Sequence, residues 1–434
     1  MNKGGNTTDG ERINSYSDLR RANSVVVRAT ENWLELFLTT PEKYRFGCWK
    51  EEIADKSLSG QYLSPLWELL SEKVPTTVAP NILSLAGLGL LGQTWYVVFH
   101  YGKVANRYAW LAATVITIFF ALNSMVTLHA DRIRQRTPLG DFFKYSTDSA
   151  ATVFLVVLTT YCLLGGTVNE TTLETQWYAV QSTQLVLFVK HLSAFDRQAG
   201  LRYSVLSGPG EVIFTAVSLL AIRATVGFDW LWTLTDSAIT RINDLGDEFI
   251  DADGISNLYQ NLTPHVLVKY GYYALFLLAV TKTLLLKNPH EWSRFGLLAS
   301  LLMRFIPAIL YFHSYDDDDD VVVFHDDNDA TNMLDRPIVS MADVICDGLF
   351  MAVLTSDLTL AKMAGRELHP WVVLMSLAAV FSHSTILALV VTYYVAVFAD
   401  LCAYLNLPLL TTCRNVYCDG CYDLCHGTCC SFNY

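Results

Sequence analysis

Carboxylates and one amine stand close together in a polar stretch, residues 123–150, that separates two long apolar segments. Its acidic side chains are Asp131, Asp141 and Asp148. Carboxylate oxygens are the hard ligands that divalent cations prefer, and such cations neutralise the charge that develops on a phosphoryl group during its transfer. The Lys144 ammonium would repel a cation from the same place. The residue types thus suggest a metal site at a membrane surface, but with few ligands and an opposing charge among them.

The spacing of this stretch resembles the signature of the CDP-alcohol phosphotransferases. That signature reads D-x2-D-G-x2-A-R, then eight residues, then G-x3-D-x3-D, and it fits here without a gap, with Ala130, Gly140 and Asp148 in the family positions. The P-L-G run that ends at Gly140, the Phe143 after it and the Asp148-Ser149 pair are similar to choline and ethanolamine phosphotransferases. The resemblance implies transfer of a phosphoalcohol from a CDP-alcohol to a lipid hydroxyl, with divalent metals held by four aspartates.

Most of the chemistry that the resemblance implies is missing from this motif. Only the last of the four aspartates remains, and the motif's glycine, arginine and proposed base are replaced. The positions that differ are Asn123 and Val126 for the first two aspartates, Thr127 for the glycine, Asp131 for the arginine, Lys144 for the third aspartate and Tyr145 for the histidine base.

Two interpretations of the altered motif follow. In the first, Lys144 replaces the metal's charge, since it lies four residues from Asp148 and on a helix would pair with it and contact Asn123. The pocket would then be neutral and inert, with no metal or other cofactor. In the second, Asp131 and Asp141 supply a rearranged metal site and the chain is an active enzyme.

The composition predicts that these residues are positioned by membrane helices. Hydrophobic residues make up 52% of the 434-residue chain and charged residues only 17%, below the roughly 25% of a soluble globular protein. A spanning helix needs about 20 apolar residues. Candidate spans lie at roughly 80–100, 108–128, 148–166, 172–189, 209–228, 264–286, 294–312 and 337–358, with two more joined within 370–406. We therefore predict an all-α integral membrane protein with about ten transmembrane helices in a CDP-alcohol phosphotransferase-like bundle.

The distribution of charge predicts the orientation. On this ten-span topology, 22 of the 30 Lys and Arg residues fall on the side of the termini and residues 129–147, whereas four fall on the opposite side. By the positive-inside rule, the altered motif faces the cytosol or an equivalent compartment. Acidic residues gather opposite, above all in the run Asp316–Asp320, which we interpret as a solvated loop, a docking site for a basic partner or a loose calcium-binding site.

Charged residues within the predicted spans need a cavity, an internal partner or a route to the surface. Arg223 and Lys282 lie near span ends and are expected to extend to the interface. Lys269 and Arg304 lie deeper and could line a cavity. Their predicted internal counter-charges are Asp343 and Asp347, four residues apart in the eighth span.

The chain divides into three predicted regions. Residues 1–78 form a polar and amphipathic N-terminal region, 79–406 the transmembrane domain and 407–434 a Cys-rich tail. In the first region, one helical face carries Trp33, Leu34, Phe37 and Leu38, and it would lie either on the membrane or against the domain. In the tail, Cys418, Cys421, Cys425 and Cys429 have spacings that a small zinc site could use, with disulfides or acylation as alternatives.

The function predicted from these observations is that of a pseudoenzyme. We interpret the chain as a catalytically lapsed CDP-alcohol phosphotransferase-like protein that serves as a lipid-contacting structural or regulatory subunit of a membrane complex. An active choline/ethanolamine phosphotransferase is the alternative, and a transporter-like use of the lipid cavity a third. Bound phospholipid and other membrane subunits are the expected partners, and no nucleic-acid module is evident. Family resemblance implies the endoplasmic reticulum or Golgi, whereas a recruited subunit could reside in the mitochondrial inner membrane.

Overall fold

Long helices occupy nine of the places where the sequence predicts spans, within the part of the chain that the structure describes. The structure is a computed structural model, and it describes residues 37–50, 54–101, 106–164, 170–197, 200–205, 208–227, 264–287, 291–316, 339–369, 372, 375 and 383–412. Two shorter helices, α1 (Thr40–Gly47) and α2 (Leu58–Lys73), precede the long ones. The long helices are α3 (Pro80–Tyr101), α4 (Asn106–Arg132), α5 (Pro138–Leu164), α6 (Glu170–Arg197), α7 (Pro209–Val226), α8 (Pro264–Leu284), α9 (Glu291–Asp316), α10 (Met341–Ala364) and α11 (His383–Leu405).

The helices confirm the predicted all-α membrane class. Among the described residues, α3, α4, α5, α7, α10 and α11 are long and apolar enough to cross a membrane. The strand content of the described ranges is one parallel pair, β1 (Ala54–Asp55) and β2 (Arg202–Tyr203), with Ala54 opposite Arg202. Most of residues 370–382 lie outside the described part, so the total of ten spans stays a prediction.

The altered motif is more helical than the apolar pattern predicts. The span predicted at roughly 148–166 belongs to a helix that begins ten residues earlier: α4 ends at Arg132 and α5 begins at Pro138. A proline is tolerated in the first helical turn because its missing N–H would have no partner there. The backbone N–H of Gly140 donates to Thr137 Oγ1 at 3.1 Å, which caps that end. Residues 138–147 are thereby part of α5, ahead of the apolar run.

The turn between α4 and α5 is tight because of one unusual backbone conformation. Arg134 has φ of 55°, a left-handed conformation that residues other than glycine rarely adopt. Around it, the N–H of Gln135 donates to Ala130 O at 2.9 Å and the N–H of Arg134 to Asp131 O at 3.1 Å. These two bonds close α4 as a Schellman motif, and only residues 133–137 connect the helices.

Helix α10 is the centre of the bundle. Every residue from Phe350 to Ala364 is buried. Close packing with α5 and α6 depends on Gly348, where an added Cβ would come within 2.8 Å of Val180 and 2.9 Å of Val153. A larger side chain here would push the helices apart.

The N-terminal segment packs against the domain. Phe37 and Leu38 are buried, and the Phe37 ring meets the Tyr393 ring edge-on at 5.4 Å. Lys43 Nζ lies 2.6 Å from Asp400 in α11, with both side chains almost fully buried. Of the two predicted placements, packing on the domain is therefore the observed one for these residues. Trp33 and Leu34 lie outside the described part.

The deeper charges are paired inside the bundle, only partly as predicted. Arg304 Nη1 lies 2.7 Å from Asp347, which confirms that pair. Lys269, however, pairs with Glu174 of α6 at 3.6 Å rather than with Asp343. The pairing with Asp343 was wrong because sequence spacing does not show which helices are neighbours.

Two further expectations about charged residues changed. Asp343 belongs to a capping box with Ser340 at the start of α10, where its carboxylate accepts from the Ser340 N–H at 2.7 Å. Arg223 is 2% exposed, so the expectation that it extends to the interface is wrong. Lys282 is exposed as expected.

Two sequence predictions lie outside the described residues. They concern the run Asp317–Asp320 and the four predicted zinc ligands, Cys418, Cys421, Cys425 and Cys429.

Candidate functional site

The altered motif forms a helix–turn–helix at the end of α4 and the start of α5. Lys144 Nζ lies 3.6 Å from Asp148 Oδ2, and the two side chains are 20% and 27% exposed. The predicted contact between them is therefore confirmed. The Asn123 side chain, from α4, also lies near the Asp148 carboxylate. The surviving acid of the motif thus has a cation and an amide as its partners.

The Asn123 amide orients its donor toward the acid. Its Oδ1 is buried and has no hydrogen-bond donor among the described residues. A carboxylate accepts and an amide nitrogen donates, so Asn123 Nδ2 points to Asp148. Asparagine thereby places a neutral amide where the family resemblance implies a second negative charge.

The other two acids of the stretch are paired with a cation of the connecting turn. Arg136 lies 3.4 Å from Asp131 and 3.6 Å from Asp141. The Asp131 side chain is 52% exposed and points to the surface. The carboxylates that could have formed a rearranged metal site therefore share Arg136 instead of converging on Asp148.

The basic residues that end α4 support the preceding helices. Arg132 donates to the carbonyl oxygens of Ser71 and Val74 at the end of α2. His129 Nε2 lies 2.9 Å from Val78 O, ahead of α3. Carbonyl oxygens at a helix C-terminus attract cations because they lack helical partners. Arg132, one residue after the family's arginine position, is thereby engaged in joining α2 to α4.

Tyr145, at the position of the family's proposed base, is buried in a polar cluster. Its ring meets the His191 ring edge-on at 5.6 Å, and Lys362 Nζ lies 5.9 Å from the Tyr145 ring centre. His191 Nδ1 lies 2.8 Å from Thr359 Oγ1, as expected of a hydrogen-bonded structural histidine. The sequence alone assigned no role to Lys362. No local spacing links it to Tyr145, since the two residues lie on different helices.

The remaining motif positions serve packing. Val126 and Ala130 are buried, and Thr127 is partly exposed. At Gly140, an added Cβ would lie 3.4 Å from Thr137 Oγ1 and 3.5 Å from Asn81 Oδ1. These are ordinary contact distances, so there is room for a methyl group at position 140. Across the described ranges, no three His, Cys, Asp or Glu side chains lie close enough together to hold a metal ion.

Sequence comparison relates part of this chain to a known group of proteins. The chain is 26% identical over 219 residues to choline/ethanolaminephosphotransferase 1 of Saccharomyces cerevisiae, a match of 49% of this chain and 53% of the yeast protein. It is 33% identical over 109 residues to cholinephosphotransferase 1 of Gallus gallus, covering 24% of this chain and 32% of the chicken protein. The chain is related to the CDP-alcohol phosphotransferases. This confirms the family predicted from the motif.

The relationship extends to a protein of the same class without an assigned activity. An uncharacterized CDP-alcohol phosphatidyltransferase class-I family protein of Schizosaccharomyces pombe is 27% identical over 195 residues, or 42% of this chain and 48% of that protein. No family model matches the chain. The chain spans about half the length of the yeast protein that it matches, so the activity of the whole relative does not follow from the match.

Proposed function

We propose that this CDP-alcohol phosphotransferase relative is catalytically lapsed and serves as a lipid-contacting structural or regulatory subunit of a membrane complex. The observation that carries the proposal is the ion pair of Lys144 with Asp148, at 3.6 Å. It stands where the family resemblance implies two metal-binding aspartates.

Electrostatics explains why this pair argues against a metal site. A divalent cation needs several oxygen ligands with net negative charge. Here the carboxylate of Asp148 already has the Lys144 ammonium beside it, and two like charges 4 Å apart repel by about 4 kcal/mol at the effective dielectric constant near a protein surface. The donor set of the motif therefore does not fit a divalent ion.

The alternative metal site lacks support in the same region. Asp131 and Asp141 share Arg136, so binding an ion would first require that cation to move away. The family's base is also replaced, since Tyr145 is buried beside Lys362. A phenol with a usual pKa near 10 is a poor base at neutral pH unless that pKa is lowered.

The lipid-contacting part of the proposal rests on the outer faces of the helices. Phe214 of α7, Leu277 of α8 and Val395 of α11 are among the exposed apolar side chains. In a bilayer such faces contact acyl chains. A structural subunit needs this lipid-matched surface but no metal, which agrees with the motif. The endoplasmic reticulum or Golgi is the compartment that the family suggests, and the mitochondrial inner membrane fits a recruited subunit.

An activity assay tests the proposal directly. Purified full-length protein in lipid nanodiscs is incubated with CDP-choline or CDP-ethanolamine, diacylglycerol and Mg²⁺ or Mn²⁺, and new phospholipid is measured by mass spectrometry. We expect no product above a protein-free control, while the yeast relative prepared in parallel serves as the positive control. Metal-dependent turnover that disappears in Asp148→Asn would overturn the lapsed assignment and establish the alternative, an active phosphotransferase.

A second experiment addresses the role as a subunit. The protein is isolated from its native membrane in mild detergent, and its mass and co-purifying components are measured by native mass spectrometry. We expect a larger assembly of fixed composition that carries phospholipid. A lipid-free monomer with no partner would contradict the subunit role without bearing on catalysis.

A further inference from the structure

Helices α6 and α10 are joined by side-chain hydrogen bonds at two levels of the helix bundle. Near their N-terminal ends, Trp177 Nε1 donates to Asp347 Oδ2 at 2.9 Å. Near their C-terminal ends, His191 Nδ1 lies 2.8 Å from Thr359 Oγ1. Residue numbers rise together at the two contacts, so the helices run parallel. The contacts are separated by twelve residues of α10, from Asp347 to Thr359, or about 18 Å along the helix axis.

Two glutamines lie on α6 between these contacts. Gln181 and Gln184 are four and seven residues after Trp177, which places all three on one face of the helix. Their side chains are 2% and 0% exposed. Gln184 Nε2 donates to Ser149 O of α5 at 2.9 Å, so this part of the α6 face is also turned toward α5.

Each glutamine keeps one buried polar atom without a partner. Gln181 Nε2 and Gln184 Oε1 have no hydrogen-bond partner among the described residues. A buried donor or acceptor that is left unpaired destabilises the fold. Lipid tails cannot replace the missing partners. The surrounding membrane therefore provides no hydrogen-bond partner for either of these two atoms.

The two unpaired atoms are complementary. One is a donor and the other an acceptor, on residues three apart whose Cβ atoms are about 5–6 Å from each other on a helix. A single water molecule can accept from Gln181 Nε2 and donate to Gln184 Oε1. If the Gln181 amide is turned over, its oxygen faces the same place, and the water then donates to both residues. The match to water thus holds for either amide orientation.

A third polar group lies at the corresponding stretch of α10. Thr355 is fully buried, and its hydroxyl donates to Met351 O at 3.0 Å. That bond uses the one hydroxyl hydrogen and leaves the oxygen's lone pairs available. Buried waters commonly make about three hydrogen bonds, so Thr355 can accept the second hydrogen of the water when Gln181 Nε2 is the donor to it.

We propose that Gln181 and Gln184 form an internal water-binding site in the core of the bundle, where α6 faces α5 and α10. The ligand is a structural water held between the Trp177–Asp347 and His191–Thr359 contacts. It satisfies both amides and ties α6 to its neighbours at a depth where the membrane supplies no water.

Water-edited solid-state NMR tests the site in full-length protein reconstituted into bilayers. The glutamine side chains are labelled with ¹⁵N, and magnetisation transfer from water to the amide groups is followed with mixing time. Gln181→Met identifies the Gln181 signal by its loss, and the exposed Gln61 provides the fully hydrated reference. We expect early transfer to Gln181 in the wild type and its loss in Gln184→Met, which removes the other amide of the bridge.

Thermal unfolding supplies an independent measurement. Methionine matches glutamine in length, so neither substitution opens a large cavity. We expect Gln181→Met to lower the Tm and the two substitutions to be non-additive, because each disturbs the same water. Gln61→Met should leave the Tm unchanged.

Two results would overturn the proposal. A dry site gives no early water transfer and a higher Tm for Gln181→Met, because the variant removes an unpaired donor. A direct amide–amide bond gives non-additive Tm values without water transfer to Gln181.

Discussion

Replacing Gly348 with alanine should destabilise the bundle although alanine is the better helix former. The added Cβ would lie 2.8 Å from Val180 Cγ1 and 2.9 Å from Val153 Cγ1. Carbon atoms pack best at about 3.5–4.0 Å, and both valines are fully buried. Extra carbon in a well-packed core costs roughly 1–3 kcal/mol, whereas the Gly-to-Ala change gains up to about 1 kcal/mol in helix propensity. The expected net change is a loss of up to about 2 kcal/mol.

The loss is measured by thermal unfolding of the purified protein in nanodiscs at one scan rate, followed by tryptophan fluorescence. Gly89→Ala in α3 is the matched control, since its added Cβ meets no atom within 4 Å. The control should be as stable as the wild type or slightly more so. Replacing both Val153 and Val180 with alanine creates space for a Cβ at position 348. In that background, Gly348→Ala should no longer lower the stability of the protein. A Gly348→Ala protein that is more stable than the wild type would refute the packing argument.

Further predictions concern a buried charge and a strained turn. Arg304→Met should cost about 3–5 kcal/mol in thermal unfolding because it leaves the Asp347 carboxylate buried without its cation. Adding Asp347→Leu should recover part of that loss but not all of it, because it also removes the acceptor of the Trp177 Nε1–H; a double variant weaker than the single one would contradict this. Arg134→Gly should raise stability by roughly 1–2 kcal/mol by relieving the left-handed backbone. The same change at Asn406, with φ of 52°, should gain less, since asparagine tolerates that conformation; equal gains would contradict the argument.

Features set by neighbours along the chain could be predicted from the sequence. Apolar runs located the long helices, because spanning a bilayer requires about 20 such residues whatever their partners. The Lys144–Asp148 contact was also predictable, since a spacing of four on one helix fixes the distance. In both cases the controlling geometry lies within one helix.

Features set by contacts between helices could not be predicted in this way. Lys269 could have paired with any acid at its depth, and only the packing of α6 against α8 selects Glu174. The early start of α5 was missed because a hydropathy pattern does not register the helix-starting roles of Pro138 and Thr137. The cluster around Tyr145 likewise forms from three separate helices.

The docked N-terminal segment has a consequence for how the protein is made. Lys43 and its partner Asp400 are 357 residues apart in the chain, and Arg45 donates to Gly365 O at 2.8 Å over a separation of 320. During synthesis this segment leaves the ribosome before every helix to which it binds. The contact of Lys43 with Asp400 can therefore form only after α11 has been synthesised. A chain stalled before α11 would lack this contact, whatever the state of its earlier helices.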